Sequence, residues 1–332
     1  MKIARVSETD LIVRIQKRFG NKKPQCGIEI GDDAAAVQNE SDKLLLLATD
    51  ILVEGNHFIR GQISFEDLGY KAMAVNLSDI AAMGGTPAYV LISLGLPPDL
   101  KLAEFDQLYD GIQEAALKYG VKVVGGDITS SKFGMVINVS ITGYADKGKV
   151  ISQDGAKPGD LIAVTGKLGG SLAGLLTLMN PNLELDPDIR AKALDKHYRP
   201  TPRVKEGVLL AATGKIHAMK DISDGLAKEI NTIANTSGVK AVVDAAKIPV
   251  SPFAEEIARL LNKDPLEMAI QGGEEYELLF TFASKDYNLL NELANRHKIS
   301  MHLIGQIEEG DGVLIEASDK IEPLHFKGYQ HF

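Results

Sequence analysis

Lys43-Leu44-Leu45-Leu46-Leu47-Ala48-Thr49-Asp50 is a short, unbroken apolar run that gives way to a hydroxyl and a carboxylate. It is too short for an ordinary helix and lacks a 3.6-residue period, so it reads as a buried strand. Val121-Lys122-Val123-Val124-Gly125-Gly126-Asp127 repeats the design. Between the two runs, residues 65–83 and 102–119 have helical character. Gly84-Gly85 and then Pro87 stop the first of these helices. Residues 89–96 and 135–143 read as further strands. From Ile151 to Asp160 the chain is rich in Gly, Pro and Lys, and Ala156-Lys157-Pro158-Gly159-Asp160 is turn chemistry that interrupts both periodicities. A boundary is expected there, between an N-terminal domain of residues 1–150 and a C-terminal domain of residues 151–332. Leu161-Ile162-Ala163-Val164-Thr165 then starts a new strand that runs into Gly166-Lys167-Leu168-Gly169-Gly170-Ser171 and a helix. The expected class is α+β, with mixed α/β character in both halves.

Bulk properties narrow the function. A chain of 332 residues suits two cores better than one. With 45% hydrophobic and 24% charged residues, and no apolar run near the 18 or so that span a bilayer, no membrane segment is expected. Residues 1–10 are polar and carry both charge signs, so a secretory signal is not expected either. The single cysteine, Cys26, can neither staple the fold nor build a Cys-based zinc site, which points to a reducing cytoplasm and a filler role. A net charge of −9 argues against a nucleic-acid partner, and the basic run Lys17-Arg18 with Lys22-Lys23 reads as a solvated helix end.

The acidity is patterned. Gly31-Asp32-Asp33, Thr49-Asp50, Asn76-Leu77-Ser78-Asp79, Gly125-Gly126-Asp127 and Asp221-Ile222-Ser223-Asp224-Gly225 each bring aspartate to a point where an apolar stretch gives way to a loop or turn. One such site is ordinary turn chemistry, but five recurrences are a pattern. Asn76 and Asp79 share one face of an otherwise apolar helix, and a carboxylate on such a face needs a partner. Oxygen ligands without His or Cys select Mg2+, Mn2+ or Ca2+, and carboxylates shared with substrate phosphates are the usual way Mg2+ is held, so a nucleotide is implied. None of the five continues into a twelve-residue calcium loop. Gly125-Gly126 and Gly166-x-x-Gly169-Gly170-Ser171 are candidate phosphate seats or, equally, tight turns. No P-loop motif and no protein-kinase motif set is present.

Together with Glu54-Gly55-Asn56-His57-Phe58, Gly155-Ala156-Lys157-Pro158-Gly159-Asp160, Gly272-Gly273-Glu274-Glu275-Tyr276-Glu277-Leu278 and Lys327-Gly328-Tyr329, these motifs run in order along nearly the whole chain. In this the chain closely resembles the thiamine-monophosphate kinase family of the aminoimidazole ribonucleotide synthetase-like superfamily. The resemblance implies that superfamily's two-domain fold and a homodimer paired through the first domains. It also implies ATP as co-substrate with several Mg2+ ions, and phosphorylation of thiamine monophosphate to thiamine diphosphate. Carried over by position, Asp33, Thr49, Asp50, Asp79, Asp127, Asp221 and Asp224 match metal ligands. Gly126, Asp127 and Ser223 match nucleotide contacts, and His57, Glu274 and Tyr329 match substrate contacts. Two positions depart from the pattern. Ala48 stands where a hydroxyl residue is frequent. Gln153, also a nucleotide contact by position, stands where relatives can carry arginine, and so loses a charge. Transfer onto a phosphate monoester needs no general base, because the attacking oxygen is largely ionised at pH 7, and the aspartate-rich, base-poor motif set suits direct in-line transfer. The alternatives are another ATP-dependent enzyme of the superfamily, such as aminoimidazole ribonucleotide synthetase, and a binding module for ATP and Mg2+ without turnover.

Overall fold

The computed structural model describes residues 12–13, 28, 32–38, 42–317 and 320–328. Cys26, the basic run at 17–23 and Tyr329 lie outside the described residues. Two sheets organise the chain. The first has the order β1-β2-β5-β3-β4, built from β1 (Ala35–Gln38), β2 (Lys43–Val53), β3 (Thr86–Leu96), β4 (Lys122–Ser130) and β5 (Val136–Asp146). All its pairings are antiparallel except β3 with β4. Helices α1 (Phe65–Ala82) and α2 (Leu102–Tyr119) connect these strands.

Helix α1 is apolar around most of its circumference because it is buried on nearly every side, with 14 of its 18 residues withdrawn from solvent. Fully burying Leu77 or Ile80 stabilises the fold by roughly 1.5–3 kcal/mol each. Ser64 caps its start by accepting from the Asp67 N–H. Its end is a Schellman turn, in which left-handed Gly84 donates to the Ala81 carbonyl and Gly85 to that of Ile80. Against α2 the approach is backbone to backbone. A Cβ on Gly111 would lie 1.8 Å from the Glu66 carbonyl oxygen, and one on Gly69 2.0 Å from that of Leu108.

The second sheet has the order β12-β11-β8-β10-β6-β9-β7. Its strands are β6 (Asp160–Thr165), β7 (Ile216–Asp221), β8 (Lys240–Asp244), β9 (Leu278–Ala283), β10 (Met301–Glu308), β11 (Gly312–Ala317) and β12 (Lys320–Pro323). Helices α3 (Gly170–Met179), α4 (Pro187–Tyr198), α5 (Val204–Thr213) and α6 (Leu226–Ser237) come from the same stretch of chain. Helix α1 also touches this half: a Cβ on Gly207 of α5 would meet the Ala81 carbonyl oxygen at 2.2 Å. Among the described residues no helix is long and apolar enough to cross a membrane.

One expectation is corrected. Asp50 and Asp127 do not follow their strands but sit within them, because β2 runs on to Val53 and β4 to Ser130. With a period of two, neighbours in a strand face opposite ways, so Thr49 and Asp50 cannot share a face.

Candidate active site

Asp50 occupies the inner face of β2, where its backbone N–H donates to Asn76 Oδ1 at 3.0 Å. Asn76 in turn donates to the Ala72 carbonyl one turn back on α1, so its amide is an orienting group and not a free ligand. Asp79 lies one turn on from Asn76 and, with Asp50, Asp221, Ser223 and Asp224, lines a cavity of about 570 Å³ between the two halves. Burial raises the Asp79 carboxyl well above the usual range, and repulsion from Asp50, Asp221 and Asp33 raises it further. Burial and the charge of Asp33 act in the same direction on Asp221, opposed by Lys220 and a hydrogen bond from Ser78. Asp33 and Lys220 form a close ion pair.

Asp33, Asp50, Asp79 and Asp221 therefore form one repelling group. Among the described residues, Asp33 Oδ2 is buried without a hydrogen-bond partner. That orphaned oxygen and the strained ionisation of Asp79 fit a bound cation, since both are costs that a positive charge relieves. Among the described residues, no three or more His, Cys, Asp or Glu side chains are grouped to enclose an ion by themselves. Phosphate and water oxygens would have to complete the shell, as is usual for Mg2+.

The other expected site residues divide. Asp224 lines the cavity and pairs with Lys228 at 2.5 Å. Ser223 also lines it, and the Ser223 carbonyl accepts from the Glu274 N–H at 2.6 Å. Thr49 faces the outer side of the sheet, donating to the Val139 carbonyl and bonded to Ser140 and Asn138. Asp127 is aligned with Ser93 and borders a second, shallower cavity with Ser93, Asn138 and Phe133. The structure therefore does not bring Thr49 or Asp127 to the Asp79 group. Gly126 has a packing reason: a Cβ there would lie 1.8 Å from the Ile92 carbonyl oxygen. Gln153 is buried and lines neither cavity, its N–H bonding Asp32 Oδ2 and its carbonyl accepting from Thr236.

His57 and Glu274 line the main cavity. The His57 Nδ1 accepts from the Val53 N–H at 3.0 Å, which fixes the ring against the end of β2. Glu274 pairs with buried Lys71 at 2.8 Å and lies 3.4 Å from His197 Nδ1. Burial would raise the Glu274 carboxyl, but the Lys71 charge beside it holds it below the usual range. Burial and the Lys71 charge push His197 down to about 4, so the ring beside Ser171 is neutral. Glu274 and Tyr276 both have left-handed backbones, at φ 59° and 52°. Such strain in non-glycine residues collects at functional sites. The second glycine-rich seat is filled from within, because the Ser171 N–H at the start of α3 donates to Glu275 Oε1 at 2.9 Å. Lys71, His197, Tyr276 and Lys220 were not singled out from the sequence. Lys71 is buried on α1 and Lys220 is partly buried on β7 between Met219 and Asp221.

Residues 31–145 match the N-terminal domain of the AIR synthase related protein family, and residues 157–317 match its C-terminal domain. The thiamine-monophosphate kinase of Aquifex aeolicus is 37% identical over 332 residues, covering 100% of both chains. The chain belongs to the thiamine-monophosphate kinase family. The family's Bacillus subtilis member is 34% identical, with 98% of this chain and all of that one covered. A solved structure described as AaThiL complexed with AMPPCP and TMP superposes with a TM-score of 0.88 at 37% identity, covering 100% of this chain and 99% of that one.

Proposed function

We propose that the chain transfers the terminal phosphoryl group of ATP directly to thiamine monophosphate. One observation carries this reading. Asp50, Asp79, Asp221 and Asp224 meet Glu274 and His57 in one cavity between the halves, and the full-length relatives are named for this reaction. The carboxylate end suits a nucleotide's phosphates with their ions, and the Glu274, His197 and His57 end suits an organic acceptor.

Mg2+ is part of the proposal, held by Asp33, Asp50, Asp79 and Asp221 with Asp224, and when bound it would neutralise charge between two anionic reactants. The chain's own residues position. Asn76 fixes the Asp50 backbone, Ser78 fixes Asp221, and Lys71 holds Glu274 at the cavity wall. No side chain need take a proton from the acceptor, whose phosphate is already ionised. His57, on the cavity wall, is placed to contact it.

Thr49, Asp127, Gly126 and Gln153 remain proposed metal or nucleotide contacts, with their different placement as the reason to test each separately. A homodimer paired through the first sheet is also proposed. It is supported by the exposed Leu47, Ile51, Tyr89 and Leu91 on that sheet, with Val124 and Ile128 on β4. The two-domain division near residue 150 and residence in the cytoplasm complete the proposal.

The test is to incubate purified protein with ATP, Mg2+ and a panel of phosphorylated metabolites. Thiamine diphosphate should form from thiamine monophosphate alone. ATP hydrolysis without a diphosphate product would favour the superfamily's other ATP-dependent enzymes.

A further inference from the structure

Lys220 lies on β7, next to Asp221, and its side chain is only 14% exposed. Its ammonium pairs with Asp33 Oδ1 and lies 3.6 Å from Glu229 Oε2. The three groups come from separate places: Asp33 precedes β1 in the first half, Lys220 is the penultimate residue of a strand of the second sheet, and Glu229 is on α6. Asp33 and Glu229 are almost wholly buried, at 3% and 1% side-chain exposure. Among the described residues neither Asp33 Oδ2 nor Glu229 Oε2 has a hydrogen-bond partner. Two buried carboxylates, each with an unbonded oxygen, are tolerable only if a cation lies between them. The chain supplies that cation itself.

We propose that Lys220 is a tethered counter-ion. In the ion-free protein it holds the position that a divalent cation takes against Asp33, and a cation binding there displaces its ammonium. The inference rests on the reading of Asp33 as a cation ligand. A lysine suits this role, because its charge is carried on a flexible four-carbon stem that can withdraw, whereas a rigid guanidinium fork could not do so as easily. Its single charge satisfies Asp33 and Glu229 but leaves Asp79 and Asp221 repelling, so a divalent ion still gains on replacing it. Lys220 thereby weakens ion binding in the absence of nucleotide and keeps the two halves joined while the site is empty.

The test measures Mn2+ binding without nucleotide, from the resonance signal of free Mn2+, for the wild type, Lys220→Met, Lys220→Gln and Asp33→Asn. Melting temperatures with chelator and with Mn2+ are recorded for the same proteins. All are purified with Mn2+ present, so that a variant unstable without the ion can still be measured. Removing one positive charge a few ångströms from the ion should tighten Mn2+ binding about tenfold or more in both Lys220 variants. Asp33→Asn should weaken it. The Lys220 variants should melt lower than wild type in chelator and recover with Mn2+. If Asp33→Asn weakens binding but the Lys220 variants bind no tighter than wild type, the counter-ion proposal is wrong and the reading of Asp33 stands. If Asp33→Asn leaves Mn2+ binding unchanged, both are wrong.

Discussion

The Ser78 hydroxyl on α1 donates to Asp221 Oδ2 at 2.6 Å, at the end of β7. Both residues are buried, and the bond crosses from the helix layer of the first sheet to a strand of the second. A carboxylate among like charges is therefore aimed by the opposite half of the chain. Ser78→Ala should destabilise the protein by about 1–3 kcal/mol, the usual cost of leaving a buried hydrogen-bonding group unmatched. It should also raise the Mg2+ concentration needed for half-maximal activity. Urea denaturation and a Mg2+ titration of the rate check the two effects.

Lys71 is almost fully buried and has Glu274 as its close ionic partner. Replacing it with Met leaves Glu274 without its main neutralising charge at the cavity wall. Breaking such a pair costs about 3–5 kcal/mol. Denaturant unfolding should show a loss of that order in Lys71→Met, and KM for thiamine monophosphate should rise more than KM for ATP.

Asp79→Asn separates stability from function. Burial and the neighbouring aspartates disfavour the charged form of Asp79. The amide should therefore raise the melting temperature in chelator while lowering turnover by two orders of magnitude or more. A variant that melts no higher than wild type without ions, or retains wild-type turnover, would contradict the assignment.

Glu275 gives a pH dependence away from the ion group. Burial raises its carboxyl to about 7 against opposition from Lys196, and Asp32 and Glu229 also reach about 7. Unfolded carboxyls titrate near 4. Between those values the folded chain holds more protons than the unfolded one, so stability falls as pH rises towards 7 and levels off above it. His197, pushed down to about 4, opposes this only below about 6.5, where the unfolded ring gains a proton. In chelator, the protein should thus unfold at lower urea concentration at pH 8 than at pH 6.5. Glu275→Gln should flatten the slope while keeping the bond from Ser171.

The sequence was most legible where local chemistry and periodicity agreed. The α1 expectation ended one residue past its observed last residue, and α2 matched at both ends, because the Gly84-Gly85 stop and the apolar spacing act over a few residues. The strand around Thr49-Asp50 was legible in existence but not in extent. Its polar residues looked like a strand end, yet pairing with β5 carries β2 on to Val53. That extension puts Thr49 on the face opposite Asp50. Glu275 at the start of α3 was illegible for a different reason. A glycine-rich helix start advertises an anion site, but whether a phosphate or a protein carboxylate fills it depends on a residue 104 positions away. Lys220 and Lys71 were missed because ion pairs between distant segments leave no periodic trace.

Direct transfer is the central claim, and labelled ATP tests it most directly. The protein is incubated with γ-labelled ATP and Mg2+, quenched before and after addition of thiamine monophosphate, and the label is followed in protein, inorganic phosphate and thiamine diphosphate. Direct transfer predicts no labelled protein at any time and label passing only into thiamine diphosphate, at the rate of turnover. A labelled protein that forms before the acceptor is added, and passes its label to thiamine monophosphate at the turnover rate, would contradict it.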